Sequence, residues 1–260
     1  MKHSIKWLLS ALLLATLAAC GAKAEKAADG ANIVDKTYRV GMNAAFAPFE
    51  SVDATGKIVG FDVDLMNAIA EQAGIKVQFV NTPWEGIFTA LSNGDIDVIA
   101  SGVTITNERK QSMAFTDPYF EAKQVILAPP GKNIATPDDL KQANKIAVTT
   151  GTTADVVAQK ILGKTSPKIT RFESLPLVLK ELEGNGVDAA IGDNGVVANY
   201  VKFNPSKGFH IVNSEGFEKE FYGIAVRPGD AELREKLNAA LKTLHDNGTY
   251  QKIYAQYFVQ

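Results

Sequence analysis

Glu220–Asp230 reads EFYGIAVRPGD, a short β-rich run closed by Pro-Gly. It is followed at once by AELREKLNAALKTLHDNG (231–248), an amphipathic helical run, and by TYQKIYAQYF (249–258), a second helix. One strand and two helices are too few to make a domain. Two blocks of alternating strand and helix patterns are already complete upstream, so this tail must return to finish the first of them. The chain then crosses between the blocks twice, near Tyr119–Lys123 and near Glu218–Tyr222. A double crossing makes a hinge, and hinge closure around a ligand is a standard protein motion.

The first block opens with YRVGM (38–42) as a strand. Asp62 is placed to cap a helix whose Leu65, Met66, Ile69, Ala70 and Ala73 share one face before Gly74 stops it. KVQFV (76–80) is a strand, Trp84–Leu91 a helix ended by Gly94, and DIDVIA (95–100) the next strand. The second block repeats the grammar: KIAVTTG, the helix TADVVAQKIL, ITRF, the helix PLVLKELEG and the strand VDAAIGD. LSNGDIDVIASG (91–102) and LEGNGVDAAIGD (182–193) share one plan of helix, glycine stop, aspartate-bearing strand and polar loop. An old duplication and the common grammar of α/β units explain this equally. The fold class is α/β with mostly parallel sheets, in two lobes. Lobe one takes 36–118 and 223–260, the hinge 119–123 and 218–222, and lobe two 124–217.

The N-terminus stands apart. Lys2 and Lys6 lead into WLLSALLLATLAA (7–19), apolar, short and closed by small residues, the pattern of a secretory signal over 1–19. Leu17-Ala18-Ala19-Cys20 resembles the bacterial lipobox, in which the cysteine is lipidated, with acyl chains such as palmitate, and becomes the mature N-terminus. An ordinary cleavage after Ala19 is the plainer reading. Cys20 is the only cysteine, so no disulfide within the chain claims it. The polar, aperiodic stretch 20–35 reads as a tether. A lipid anchor on Cys20 places the protein in the periplasm or on the outer face of the cell membrane.

Composition narrows the rest. The chain is 46% hydrophobic and 22% charged, a folded balance. The leader holds two of the 27 Lys and Arg and none of the 29 Asp and Glu, leaving a net charge near −4. No basic stripe points to nucleic acid, and no later apolar run is long enough to cross a membrane.

In open α/β sheets ligands sit beyond the carboxyl ends of the strands. Four such ends stand out: GMNAAF (41–46), SGVTITNER (101–109), TTGTTAD (149–155) and GDN (192–194). Thr106 or Asn107 is placed to cap a helix with Arg109 in its first turn, where a cation opposes the dipole. Its guanidinium either forks onto a carboxylate, makes an internal salt bridge or stays solvated. TTGTT either presents N–H groups to an anion or is a plain turn. Asp193 either receives an ammonium group or caps NGVVANYV. Phe46 and Trp84 either flank a ligand or belong to the core. Taken together, these ends suit a zwitterion.

APFE, GFDVDL, DVIASGVTITNERK, FTDPY, TTGTT, YGIAVRPGD and LHDNGTYQKIYAQYF together resemble one family. It is the bacterial extracellular solute-binding proteins of family 3, the polar amino-acid-binding proteins of ABC importers, including those for glutamine, arginine and lysine/arginine/ornithine. The resemblance covers Tyr38 to the end. It implies the periplasmic-binding-protein type II fold, two lobes joined by two hinge strands, closing on one amino acid for delivery to permease subunits with a cytoplasmic ATPase. Residue by residue, it implies that Arg109, Thr104 and the backbone around Thr153 hold the α-carboxylate. Asp193 with Ser101, Gly102 and Thr104 holds the α-ammonium, and Phe46 and Trp84 flank the side chain. Asn43 and Thr149 stand where relatives have aspartate and lysine. These departures favour a neutral polar, glutamine-like side chain over an arginine/lysine-like one, unless Glu50 or Glu85 compensates.

The same fold serves periplasmic cyclohexadienyl and arogenate dehydratases, for which Glu173 and Asp193 are the available acids. Among hydrolases the outlook is poorer, with His210 and His245 the only histidines after the leader and no G-x-S-x-G. No histidine pair has metal-ligand spacing. The expectation is therefore a monomeric binding protein, not an enzyme, with no cofactor and no metal. The lobes bring no kinase or spanning helices with them, so a free-standing binder is favoured over a receptor module.

Overall fold

The computed structural model describes residues 36–258. The leader (1–19) and the whole tether (20–35), Cys20 included, lie outside the described residues. The first elements are β1 (Thr37–Met42), β2 (Ala45–Phe46), β3 (Glu50–Val52), β4 (Ile58–Val59), α1 (Phe61–Ala73), β5 (Lys76–Asn81) and α2 (Trp84–Asn93). Next come β6 (Val98–Ile99), β7 (Ala114–Phe115), β8 (Phe120–Ala128), β9 (Ile146–Thr149), α3 (Thr153–Leu162), β10 (Ile169–Phe172) and α4 (Leu175–Glu183). The last are β11 (Ala189–Asp193), α5 (Asn194–Phe203), β12 (His210–Val212), β13 (Lys219–Tyr222), β14 (Ala225–Val226), α6 (Ala231–Asp246) and α7 (Thr249–Phe258).

One sheet has the order β5-β1-β6-β14-β7, with β1 parallel to β5 and β6. The strand of the opening stretch, β14, enters it antiparallel between β6 and β7. Behind it, α6 packs on α1, burying Leu233, Leu237, Leu241 and Leu244 on one face. The second sheet runs β10-β9-β11-β8-β12, parallel at β9 and antiparallel where β8 meets β11 and β12. Each sheet thus has a parallel centre and an antiparallel side. The two crossings meet as a ribbon, with Tyr222 opposite Phe120 and Lys219 opposite Lys123. An aromatic cluster seals it: Phe49 and Phe258 each lie 4.9 Å from Phe120, and Phe120 stacks on Tyr222 at 5.5 Å.

The matching halves of the sequence have matching geometry. Asp97 N–H donates to Arg39 O, and Asp188 N–H to Lys145 O, both at 2.8 Å. In return each carboxylate accepts the backbone N–H of that same residue, at 3.0 Å from Arg39 and 3.2 Å from Lys145. Each aspartate therefore opens its strand against the strand beside it. This also explains why DIDVIA pairs as a strand only over Val98–Ile99: the Asp97 side chain takes the Arg39 donor that a longer ladder would use. In the first of these units the helix stop is Gly94, at φ +81°, whose N–H closes on Ala90 O and Leu91 O. A left-handed residue there favours glycine.

Two local expectations fail. Asp62 is not the cap of α1; Gly60 holds that position and Asp62 is buried inside the first turn. The helix expected around Arg109 is a single 3₁₀ turn, Arg109–Gln111, because the chain must straighten for β7 three residues later. The Thr106 hydroxyl still accepts the Arg109 N–H, at 3.1 Å. The small antiparallel sheet β2-β3-β4 had no counterpart in the sequence reading.

Candidate functional site: a cleft between the lobes

The carboxyl ends of β1, β6, β9 and β11 converge on one cavity. Asn43, Phe46, Trp84, Ser101, Gly102, Thr104, Arg109, Thr149, Thr153 and Asp193 all line it, joined by Thr152 and Leu175. Glu50, by contrast, is fully buried behind Ser101, and Glu85 is exposed outside the cavity. Neither compensates for Asn43. Glu173 is likewise exposed and outside it.

Arg109 lies across the cleft. Its Nη1 donates to Thr104 O at 2.9 Å, and its Nη2 reaches Gly151 O of the other lobe at 3.4 Å. The guanidinium sits over the rings of Trp84 (5.4 Å) and Phe88 (5.2 Å), which form a π platform that orients it. It makes no ion pair among the described residues. The salt-bridge alternative therefore falls away. Partial desolvation lowers its affinity for the proton, opposed by Asp193 and Glu220, yet a guanidinium stays charged.

Asp193 occupies the N-cap position of α5, but its side chain makes no capping bond. It accepts instead from Gln124 Nε2 at 2.7 Å. Desolvation and the Glu220 carboxylate push its carboxyl up to about 7, against the lowering effects of Tyr222, Gln124 and Arg109. At the head of α3, the Thr152 hydroxyl accepts from Asp155 N at 3.4 Å and so takes up one N-terminal donor. On the first lobe, Gly102 has φ +55°, and a Cβ there would fall 2.7 Å from the Phe46 ring. Only glycine lets the loop pass beneath Phe46.

Besides the lining residues Thr152 and Leu175, sequence reasoning missed two residues that tie this site together. Glu220 Oε2 accepts from Thr104 Oγ1 of lobe one (3.0 Å) and from Thr153 Oγ1 of lobe two (2.7 Å). Gln124 Nε2, buried on β8, lies 3.3 Å from the same oxygen. Glu220 thus ties both lobes together from the hinge. The available signal was an inverted strand: in KEFY, Glu220 faces in with Tyr222 while Phe221 is 42% exposed. Among the described residues no cluster of three or more metal-capable side chains exists, and no helix is long and apolar enough to cross a membrane.

The model of the bacterial extracellular solute-binding proteins, family 3, matches residues 38–260. The chain belongs to that family. It is 51% identical over 257 residues to a probable histidine-binding protein of Neisseria gonorrhoeae, covering 98% of this chain and 96% of that one. Among solved structures, it superposes on the arginine-, lysine-, histidine-binding protein ArtJ of Geobacillus stearothermophilus with a TM-score of 0.83. That match has 42% identity and covers 86% of this chain and 96% of the other. An ancestral arginine-binding protein bound to glutamine superposes with a TM-score of 0.80 and 44% identity, over 86% and 98% of the two chains. The family fold is the type II periplasmic-binding-protein fold, two lobes on two hinge strands.

Proposed function

We propose that this solute-binding protein captures one polar L-amino acid between its lobes and delivers it to the membrane subunits of an ABC importer. One observation carries the reading: a cation without an ion pair, Arg109, and a carboxylate without a cation partner, Asp193, face the same cavity. A zwitterion completes both. Arg109, with Thr104 and the backbone around Thr153, takes the α-carboxylate; Asp193, with Ser101, Gly102 and Thr104, takes the α-ammonium. Phe46 and Trp84 flank the side chain. Asn43 and Thr149 meet its far end.

The far end decides the ligand. Both groups there are uncharged, and among the described residues Asp193 is the only carboxylate lining the cavity. A neutral hydrogen-bonding side chain suits this better than a guanidinium or ammonium. An imidazole meets that description as well as a carboxamide does, and the relative named for histidine supports the imidazole. L-histidine is therefore the first ligand, with glutamine and the cationic amino acids behind it. The protein acts as a monomeric binder rather than an enzyme. Of the two acids a dehydratase could use, Glu173 lies outside the cleft, and Asp193 is the group that takes the α-ammonium in this reading. Cys20 carries the lipid that holds the protein in the periplasm or at the outer face of the cell membrane.

The test is thermal unfolding of refolded protein with each of the twenty amino acids, ornithine and prephenate. A ligand at a hundred times its Kd adds about 2.7 kcal/mol and a visible rise in Tm. A rise with L-histidine, or with a few polar amino acids, supports the reading. A rise with prephenate alone, or with none of them, overturns it.

A further inference from the structure

Behind the first-lobe wall of the cleft lie two carboxyl groups with no cation partner among the described residues. Glu50 (β3) is fully buried and Asp62 (α1) is 1% exposed. Glu50 Oε1 accepts from the Ser101 hydroxyl at 2.6 Å. Asp62 Oδ2 accepts from Gly102 N–H at 2.9 Å and from the Tyr119 hydroxyl at 2.7 Å. Their other oxygens, Glu50 Oε2 and Asp62 Oδ1, have no donor from any other group. The two side chains are within hydrogen-bonding reach of each other. The titratable groups around them are the hydroxyls of Tyr119, Tyr222 and Tyr250, none of them a cation.

Two buried carboxylates within hydrogen-bonding reach of each other, with no cation beside them, cannot both be ionised. One proton removes a charge and supplies the one donor that both orphan oxygens lack. We infer that Glu50 and Asp62 share a single proton, carried on Glu50 Oε2 and donated to Asp62, and that this acid pair positions Ser101 and Gly102 at the cleft. Burial and the neighbouring Asp62 push the Glu50 carboxyl well up, while the bonds from Tyr119, Gly102 and Glu50 itself oppose the rise at Asp62, which keeps the charge.

The consequence reaches the ligand. Ser101 Oγ accepts the Asn43 N–H at 2.9 Å and commits its own proton to Glu50. What the hydroxyl has left for the cleft is a lone pair. The acid pair thereby makes Ser101 an acceptor, as an ammonium group requires, and excludes it as a donor to an anion. Glu50 and Asp62 are positioning residues, and this part rests on the proposed reading of the cleft.

Glu50→Gln tests it, because the amide reproduces both bonds: its carbonyl accepts from Ser101 and its NH₂ donates to Asp62. In infrared spectra of the whole protein at neutral pH, the wild-type minus Glu50→Gln difference should show the C=O stretch of a neutral carboxyl, shifted by deuteration, because any band of Asp193, which titrates near 7, is common to both and cancels. The variant should hold L-histidine and L-arginine within about threefold of the wild-type Kd. Folding of the wild type takes up a proton, so its folding constant should fall relative to that of the variant as pH rises above about 4.3, and the difference should level off above the folded-state value. Identical spectra overturn the inference, as does a folded Glu50→Gln that has lost the ligand, since a charge rather than a proton would then be needed. If the difference band appears but no amino acid binds the wild type, the acid pair stands and the proposed function falls.

Discussion

Asp97 and Asp193 stand at opposite ends of the two central strands, and their surroundings differ in one respect: who completes the charge. Asp97 is nearly sealed from water and meets Lys36 at 3.0 Å, Arg39 Nε at 3.3 Å and Arg227 at 3.2 Å. Despite burial, its bonds from Arg39, Lys36 and Arg227 hold its carboxyl down to about 2. Asp193 has Gln124 as its hydrogen-bonding partner and Glu220 as a nearby like charge, and rises to about 7. The protein supplies the counter-charges of Asp97 and leaves those of Asp193 to something else. A completed carboxylate is part of the scaffold; on the proposed reading an uncompleted one, lining the same cavity as an Arg109 without an ion pair, marks the site.

Removing the cation of the unpaired set is the sharpest way to break this contrast. Arg109→Ala should leave the ligand carboxylate buried without a partner and cost about 3 to 5 kcal/mol of binding, two decades or more in Kd by calorimetry. Unfolding without ligand should change far less, since Arg109 pairs with no carboxylate.

Asp97→Asn should behave in the opposite manner. It should cost about 2 to 3 kcal/mol of stability in urea, below the full penalty for a broken buried pair because Lys36 and Arg39 reach water, and leave Kd unchanged. Because the folded-state value is depressed, Asp97 contributes stability that is present above about pH 4 and lost as pH falls towards 2. The variant should lack that acid limb.

The gentlest probe is pH. An ammonium group needs Asp193 ionised, so affinity for L-arginine, whose side chain does not titrate in this range, should fall up to about tenfold per unit below pH 7. In Asp193→Asn binding should be weaker and flat with pH. In the free protein the sign reverses: a raised carboxyl contributes stability below about pH 4 that is lost as pH rises through about 7.

The sequence made the strand ends legible because hydroxyl, glycine and charge cluster where an apolar run stops. That local rule marked four loops, and the family resemblance picked out the individual residues in and beside them, ten of which line one cavity. The hidden residues were those whose role depends on what folds against them. Glu220 faces inward only because KEFY pairs with β8, and Glu50 meets Asp62 only because the small sheet β2-β3-β4 lies against α1. Asp62 also read as a cap, since an aspartate at a helix start usually is one, until burial and the Gly102 N–H claimed it. The return of β14 to the first sheet was legible by counting elements, whereas the ribbon of β8 and β13 needs register, which no run of residues states.

The most direct test of the cleft as a zwitterion site is calorimetric. The amino acid that raises Tm most is titrated beside the amine that lacks its carboxylate: histamine for L-histidine, agmatine for L-arginine. The account predicts that the amino acid binds and the amine is weaker by about 3 kcal/mol or more, over a hundredfold in Kd, because Arg109 is then left without its anion. Equal affinities would mean that Arg109 holds no ligand carboxylate, and would contradict it.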